Sequence, residues 1–312
     1  MTYPLHVPAP LVIAHRGACG YRPELTRAAL ELAIAQGARA IEIDVVATAD
    51  GALVLRHEPE LSGTTDVATR ADLAERRAVK EIDGRTFRGW FAEDLTLAEV
   101  RSLTTRERIG RLRPSSAQHD GREGVLTLEE ALAIAAPSGT RLVVELKHPA
   151  YSAALGLPLE DLLVDVLRDA PALPPVTIES FEHDALERLE HAGVRHPLVA
   201  LLGNHPLADL RTVKQPRAFV GFAGVSLRTG LATVRNVAAF RELGLEVWAW
   251  TLRPENHYLP PRYRLPAGRL GRYGAYWRRL VANGVTGLFA DHPDLAHAVV
   301  GAPPGVGVAA YP

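Results

Sequence analysis

Short apolar runs alternate with helical patterns along nearly the whole chain, and this alternation most limits the fold. Residues 11–14, 40–46, 52–56, 142–146, 176–178, 198–202, 224–227, 246–251 and 287–290 read as strands. Helical periodicity follows most of them, over 27–36, 127–135, 159–167, 183–191, 232–243 and 276–282, with a short helical element after 202 and a last helix after Asp291-His292-Pro293. Repeated strand–helix units call for a parallel sheet, because each crossover returns the chain to the same edge. About eight such units favour a closed (β/α)8 TIM barrel over an open sheet. Asp50-Gly51 is a turn signal that adds a hairpin strand at 52–56. Residues 66–125 break the rhythm: they are polar and Arg-rich, with one capped helix at 96–103, where Glu99 stands three after Thr96. They read as an insertion after the second strand and its hairpin, within one domain spanning 1–312.

Composition excludes several classes. Lys and Arg number 35 against 36 Asp and Glu, so no overall field draws nucleic acid or an anionic membrane. Arg clusters at 101–113 and 262–279 read as solvated surface. Cys19 is the single cysteine, which rules out an intrachain disulfide and a thiolate metal cluster. No run approaches the roughly 18 apolar residues of a membrane span. No glycine-rich phosphate loop follows any strand, which argues against a dinucleotide enzyme. The first eight residues lack a basic and an apolar region, so a cytoplasmic chain is expected, although a secreted mature form would read the same. A small-molecule substrate and a monomer or homodimer are expected.

Barrel enzymes place their chemistry at the carboxyl ends of the strands. Sorting polar residues by that rule gives a compact set. His15 and Arg16 end the first strand, and His57 ends the added hairpin. Glu42 and Asp44, two apart on an otherwise apolar strand, share one face, as do Glu145 and Lys147. Burying paired like charges is costly without a cation. Glu42, Asp44 and Glu145 therefore read as ligands of one divalent cation, and an all-oxygen set suits Ca2+ or Mg2+ better than Zn2+. Arg16 and Lys147 add fixed positive charge suited to a phosphate. His15 and His57, with ordinary pKa values near 6.5, read as a general acid and a general base. Together these parts point to metal-assisted phosphoryl transfer.

The same residues carry a resemblance. His15-Arg16-Gly17, Pro23-Glu24-x-Thr26, Glu42-x-Asp44, His57 before Thr64-Thr65, Glu145-x-Lys147, Ser180-Phe181, Trp250-Thr251 and Asp291-x-Pro293 occur in that order. This series resembles the signature of the glycerophosphodiester phosphodiesterase family, in its longer bacterial branch. The resemblance implies a TIM-barrel hydrolase that cleaves glycerophosphodiesters to glycerol 3-phosphate and an alcohol, commonly with Ca2+. It also implies that Phe181 and Trp250 line the glycerol pocket.

Leu25 stands where the family usually has Asn, Glu58 where it has Asp, Gly63 where it has Arg, and Arg253 where Asn is common. Two relatives of the main reaction stay open. A phospholipase D-like lyase would form a cyclic phosphate, and a variant hydrolase would attack a glycerol-phosphate wall polymer. A phosphoglycerol-binding protein on a silent barrel is a third reading, which the intact histidines and carboxylates oppose. Of the remaining histidines only His148 falls near the site.

Overall fold

Eight strands pair in parallel and close on themselves. In the computed structural model, which describes residues 9–203 and 212–301, they are β1 (Leu11–His15), β2 (Ala40–Ala47), β6 (Arg141–Leu146), β7 (Val176–Ser180), β8 (Leu198–Leu202), β9 (Gly224–Arg228), β10 (Glu246–Leu252) and β11 (Gly287–Ala290). They neighbour one another in that order, and β1 pairs with both β2 and β11, which completes the barrel. The added strand β3 (Leu53–Leu55) runs antiparallel to the end of β2. Strands covered on both sides carry near-continuous apolar runs, which is why they were readable.

Alternation along each strand sorts the side chains. Val12, Ala14, Ile41, Ile43, Leu142 and Val144 join the large core between barrel and helices. Their neighbours Ile13, Ala40, Val143, Val199, Trp248 and Phe289 form a separate buried plug inside the barrel. Gly287 belongs to that plug by necessity, since a Cβ there would lie 2.4 Å from the Trp248 indole. Continuing the same parity toward the carboxyl ends turns His15, Glu42, Asp44, Glu145 and Glu179 inward above the plug. The pairing register sets His15 beside Glu42, and Glu145 beside both Asp44 and Glu179.

The capped helices form where expected: Leu97–Arg101 and Leu128–Ala135 each open on a Thr whose hydroxyl accepts from the third backbone amide, with a Glu answering. The segment between β3 and the second of these holds more structure than its sequence suggested. β4 (Ala78–Ile82) and β5 (Arg85–Gly89) form a hairpin around Asp83-Gly84, both with positive φ, as a two-residue turn requires. Its apolar residues Leu61, Val67, Leu73, Leu95, Val100 and Leu103 close on Val46 and Val54 of the β2–β3 hairpin. The insertion thus makes a small second core by borrowing an outer face of the barrel.

Helix Val234–Arg241 is shorter than its apolar pattern because Thr233 caps it, and helix Tyr273–Ala282 starts earlier than the pattern showed. The helical element expected after 202 falls largely at 204–211, outside the described residues, as does the tail beyond Gly301. Among the described residues no helix is long and apolar enough to cross a membrane.

Phe240 ties helix Val234–Arg241 to the barrel, fully buried and edge-on to Phe219 at 5.7 Å. Phe240→Ala should cost about 3–5 kcal/mol, read as an earlier midpoint of urea unfolding with unchanged slope. A loss below about 1 kcal/mol would show that this helix contributes little to holding the barrel.

Candidate active site

Three inward carboxylates meet at the barrel mouth. One oxygen each from Glu42, Glu145 and Glu179 lies within 4.8 Å of the others, and all three residues are buried. Burial, then Asp44, pushes Glu42 well above the usual carboxylate range. Burial and then Glu145 do the same to Glu179. Burial lifts Glu145 to about 7, with Lys147 holding it down and Asp44 pushing it up. Glu179 Oε2 has no hydrogen-bond partner. Unbalanced, all-oxygen and closely spaced, this triple fits a hard divalent cation.

Asp44, proposed from sequence beside Glu42 and Glu145, lies outside that triple. Its Oδ1 is 3.2 Å from Lys147 Nζ and its Oδ2 3.1 Å from Arg16 Nε. Burial works against its charge, but Lys147 and Arg16 more than offset it and hold Asp44 far below its ordinary value. Lys147 also reaches Glu145 Oε1 at 2.6 Å, and Arg16 reaches Glu24 at 3.1 Å. Arg16 takes a left-handed backbone conformation, φ 56°, in which its amide donates to Glu42 Oε2 at 2.9 Å. Such strain costs on the order of 1–3 kcal/mol and persists where surrounding contacts hold it.

Each proposed catalytic histidine rests on a carboxylate. Asp291 Oδ1 lies 2.7 Å from His15 Nδ1, while its Oδ2 takes Arg113 at 2.5 Å and Arg253 at 2.9 Å. Burial opposes ionisation of Asp291, but Arg253 and Arg113 keep it well below its usual range. An ionised carboxylate only accepts, so His15 donates through Nδ1 and presents Nε2, which lies 4.0 Å from Glu42 Oε2. Glu58 Oε1 sits 2.5 Å from His57 Nδ1, and Arg108 grips both oxygens of Glu58 at 2.8 and 2.6 Å. The ordinary value near 6.5 assumed from sequence does not hold. Burial, then Arg16, brings both histidines down to about 4.

His15, Arg16, Glu42, His57, Glu58, Glu145, Lys147 and Glu179 line one cavity of about 1200 Å³, with Phe181 and Trp250 on its wall, edge-to-face at 5.5 Å. The tip of the β4–β5 hairpin reaches the rim, where Asp83 meets His148 Nδ1 at 2.6 Å. All nine residues singled out from sequence therefore lie in or against one site.

A sequence profile of the Glycerophosphoryl diester phosphodiesterase family matches residues 15–295. The chain belongs to that family. A glycerophosphodiester phosphodiesterase of Bacillus subtilis (strain 168) is 27% identical over 299 residues, 93% of this chain and 86% of its own. Another, from Arabidopsis thaliana, is 34% identical over 172 residues, 53% of this chain; the match spans only 45% of the plant protein. A solved structure from Silicibacter pomeroyi that carries the same family designation superposes with a TM-score of 0.72 at 26% identity, covering 94% of both chains. A phosphodiesterase from Oleispira antarctica, solved with its product sn-glycerol-3-phosphate, gives 0.69 at 24% identity over 94% of this chain and 97% of that one, a likeness of fold.

Within this family member, sequence reasoning missed Glu179, Arg108 and Arg113; it named Asp291 as a motif residue and Glu58 and Arg253 as departures, without their pairing behind the histidines. Glu179 was within reach, because the two-residue rule applied to β2 and β6 also turns it inward on β7. The arginines carried no local signal.

The histidine assignment has a direct check. In metal-free protein the ring protons of His15 and His57 should titrate by NMR with midpoints near 4, well below the ordinary value of about 6.5. Midpoints at the ordinary value would mean that the rings are solvated.

Proposed function

We propose that this family member is a divalent-cation-dependent hydrolase of glycerophosphodiesters, such as glycerophosphocholine or glycerophosphoethanolamine, releasing sn-glycerol 3-phosphate and an alcohol. The observation that carries the reading is the convergence on one cavity of two carboxylate-backed histidines, a carboxylate triple and the Arg16–Lys147 pair. Glu42, Glu145 and Glu179 would hold the cation, Ca2+ or Mg2+, with Asp44 the remaining nearby carboxylate. When bound, the cation supplies positive charge for the non-bridging phosphate oxygens. The product held by the Oleispira phosphodiesterase accords with the same substrate class.

The chain's own groups supply the rest. Arg16 and Lys147 face the phosphate with charges fixed by their buried counter-ions. Both imidazoles are neutral at physiological pH, so either can take a proton from water through Nε2. The other must arrive protonated to deliver a proton to the leaving alkoxide. A bound phosphodiester anion favours this, because its charge opposes the Arg16 and Lys147 fields that depress the rings. Phe181 and Trp250 present apolar walls to the glycerol carbons.

His15→Ala or His57→Ala should lose about 100-fold or more in kcat on glycerophosphocholine while still binding Ca2+ or Mg2+ by calorimetry. Near-wild-type turnover in either would remove the acid–base assignment. Phosphorus NMR should show a monoester product; a cyclic phosphate would instead mean attack by the substrate's own hydroxyl.

Chelation has a pH signature. Glu42, Glu145 and Glu179 have folded pKa values raised above the unfolded one, so folded protein binds the extra protons and loses stability as pH rises. His15 and His57 act oppositely, but only up to their unfolded value near 6.5. From about pH 6.5 to about pH 8 the chelated protein should therefore lose thermal stability, and Ca2+ or Mg2+ should abolish the loss. A flat profile in chelator would show that the triple carries no unbalanced charge.

A further inference from the structure

The loop 105–113 belongs to the insertion, yet two of its arginines stand behind the two histidines. Arg108 donates to both oxygens of Glu58 and, at 3.0 and 2.7 Å, to both of Glu24. Arg113, buried, spans from Glu255 at 2.6 Å to Asp291 at 2.5 Å and also donates to the Cys19 carbonyl at 3.0 Å. The loop itself is braced: Glu107 accepts from the Ile109 amide at 2.9 Å and from Ser116 at 2.5 Å.

A carboxylate that holds an imidazole with one oxygen can still rotate about its own bond. Tying the second oxygen to a guanidinium removes that freedom and keeps the carboxylate an acceptor. We propose that Arg108, through Glu58, and Arg113, through Asp291, are positioning residues that fix His57 and His15 with Nδ1 protonated and Nε2 presented to the substrate. The insertion is thereby part of the catalytic apparatus as well as a wall of the cavity. Asp291 has a second guanidinium in Arg253, whereas Glu58 has only Arg108 among the described contacts. Loss of Arg108 is accordingly the more damaging.

This inference rests on the reading of His15 and His57 as the proton-transfer pair, so the test separates the two. Protein labelled with 15N-histidine, loaded with Mg2+ at about pH 7.5, is compared as wild type, Arg108→Gln and Arg113→Gln, with peaks assigned from His15→Gln and His57→Gln. Wild type should show both rings protonated at Nδ1. Arg108→Gln should give mixed tautomers at His57 alone and Arg113→Gln at His15 alone. kcat should fall about 10- to 100-fold and about 10-fold respectively, with KM and Mg2+ affinity within about 2-fold.

Arg101→Gln, an exposed arginine of the same insertion paired with Glu130, should keep wild-type kcat. If Arg113→Gln fails to fold, Arg113→Lys keeps the charge without the fork and should shift His15 in the same direction. Unchanged tautomers in folded Arg108 and Arg113 variants overturn the proposal, whether or not kcat falls. If instead His15→Gln and His57→Gln turn over normally, it is the acid–base reading that fails.

Discussion

The site depends on negative charge held where water cannot screen it. Glu42, Glu145 and Glu179 project from neighbouring strands into the barrel mouth above an apolar plug. Their mutual repulsion is met by Lys147 and by whatever cation enters. Arg16 folds back in a strained conformation that lets one residue give its amide to Glu42 and its guanidinium to Asp44 and Glu24. The histidines in turn sit within the field of Arg16, which together with burial keeps them neutral.

Much of the barrel was legible because its strands are buried on both faces and its helices carry one apolar stripe, so burial itself wrote the pattern. The β4–β5 hairpin was not, since Lys80, Glu81, Arg85 and Arg88 give it few apolar positions. Its turn signal, Asp83-Gly84, stood without the alternation that identifies a hairpin. For the site, residues on one strand were readable as pairs, since spacing fixes their face. Partnerships between distant segments were not. Glu58 with Arg108 and Asp291 with Arg113 join residues 50 and 178 positions apart, and no local periodicity records such contacts. The Arg-rich run at 101–113 shows the cost: read as solvated surface, it hides Arg113, which is buried, and Arg108, which is half-buried, among the exposed Arg101, Arg106 and Arg111.

The four departures from the family pattern have separate physical consequences. Leu25 sits at φ 58°, a region that Asn tolerates better than Leu, and is held there fully buried in the main core. Packing, not backbone preference, decides that position. A Cβ at Gly63 would meet nothing within 4 Å, so glycine is not demanded by crowding. The guanidinium charge beside the His57 carboxylate comes from Arg108. Glu58 spans His57 and Arg108 at once, and Arg253 shares Asp291 with Arg113 while stacking over Tyr258 at 4.7 Å.

Two of these departures, Glu58 and Arg253, therefore bear on the carboxylates behind the histidines, and Glu58 lies in a chain of ion pairs that runs from Arg16 to His57. Arg16 shares Glu24 with Arg108, and Arg108 shares Glu58 with His57. Fixed charges linked in this way cannot be adjusted singly: moving one carboxylate alters a cation that also holds another. The barrel supplies positions set by strand register, and the insertion supplies the counter-charges that set how those positions are oriented. A barrel with the same strand residues but a different insertion would present the same ligands and histidines with Glu58 untethered and Asp291 held by Arg253 alone. The contacts that hold the histidine carboxylates thus come from the long polar segment as well as from the strands and loops of the barrel.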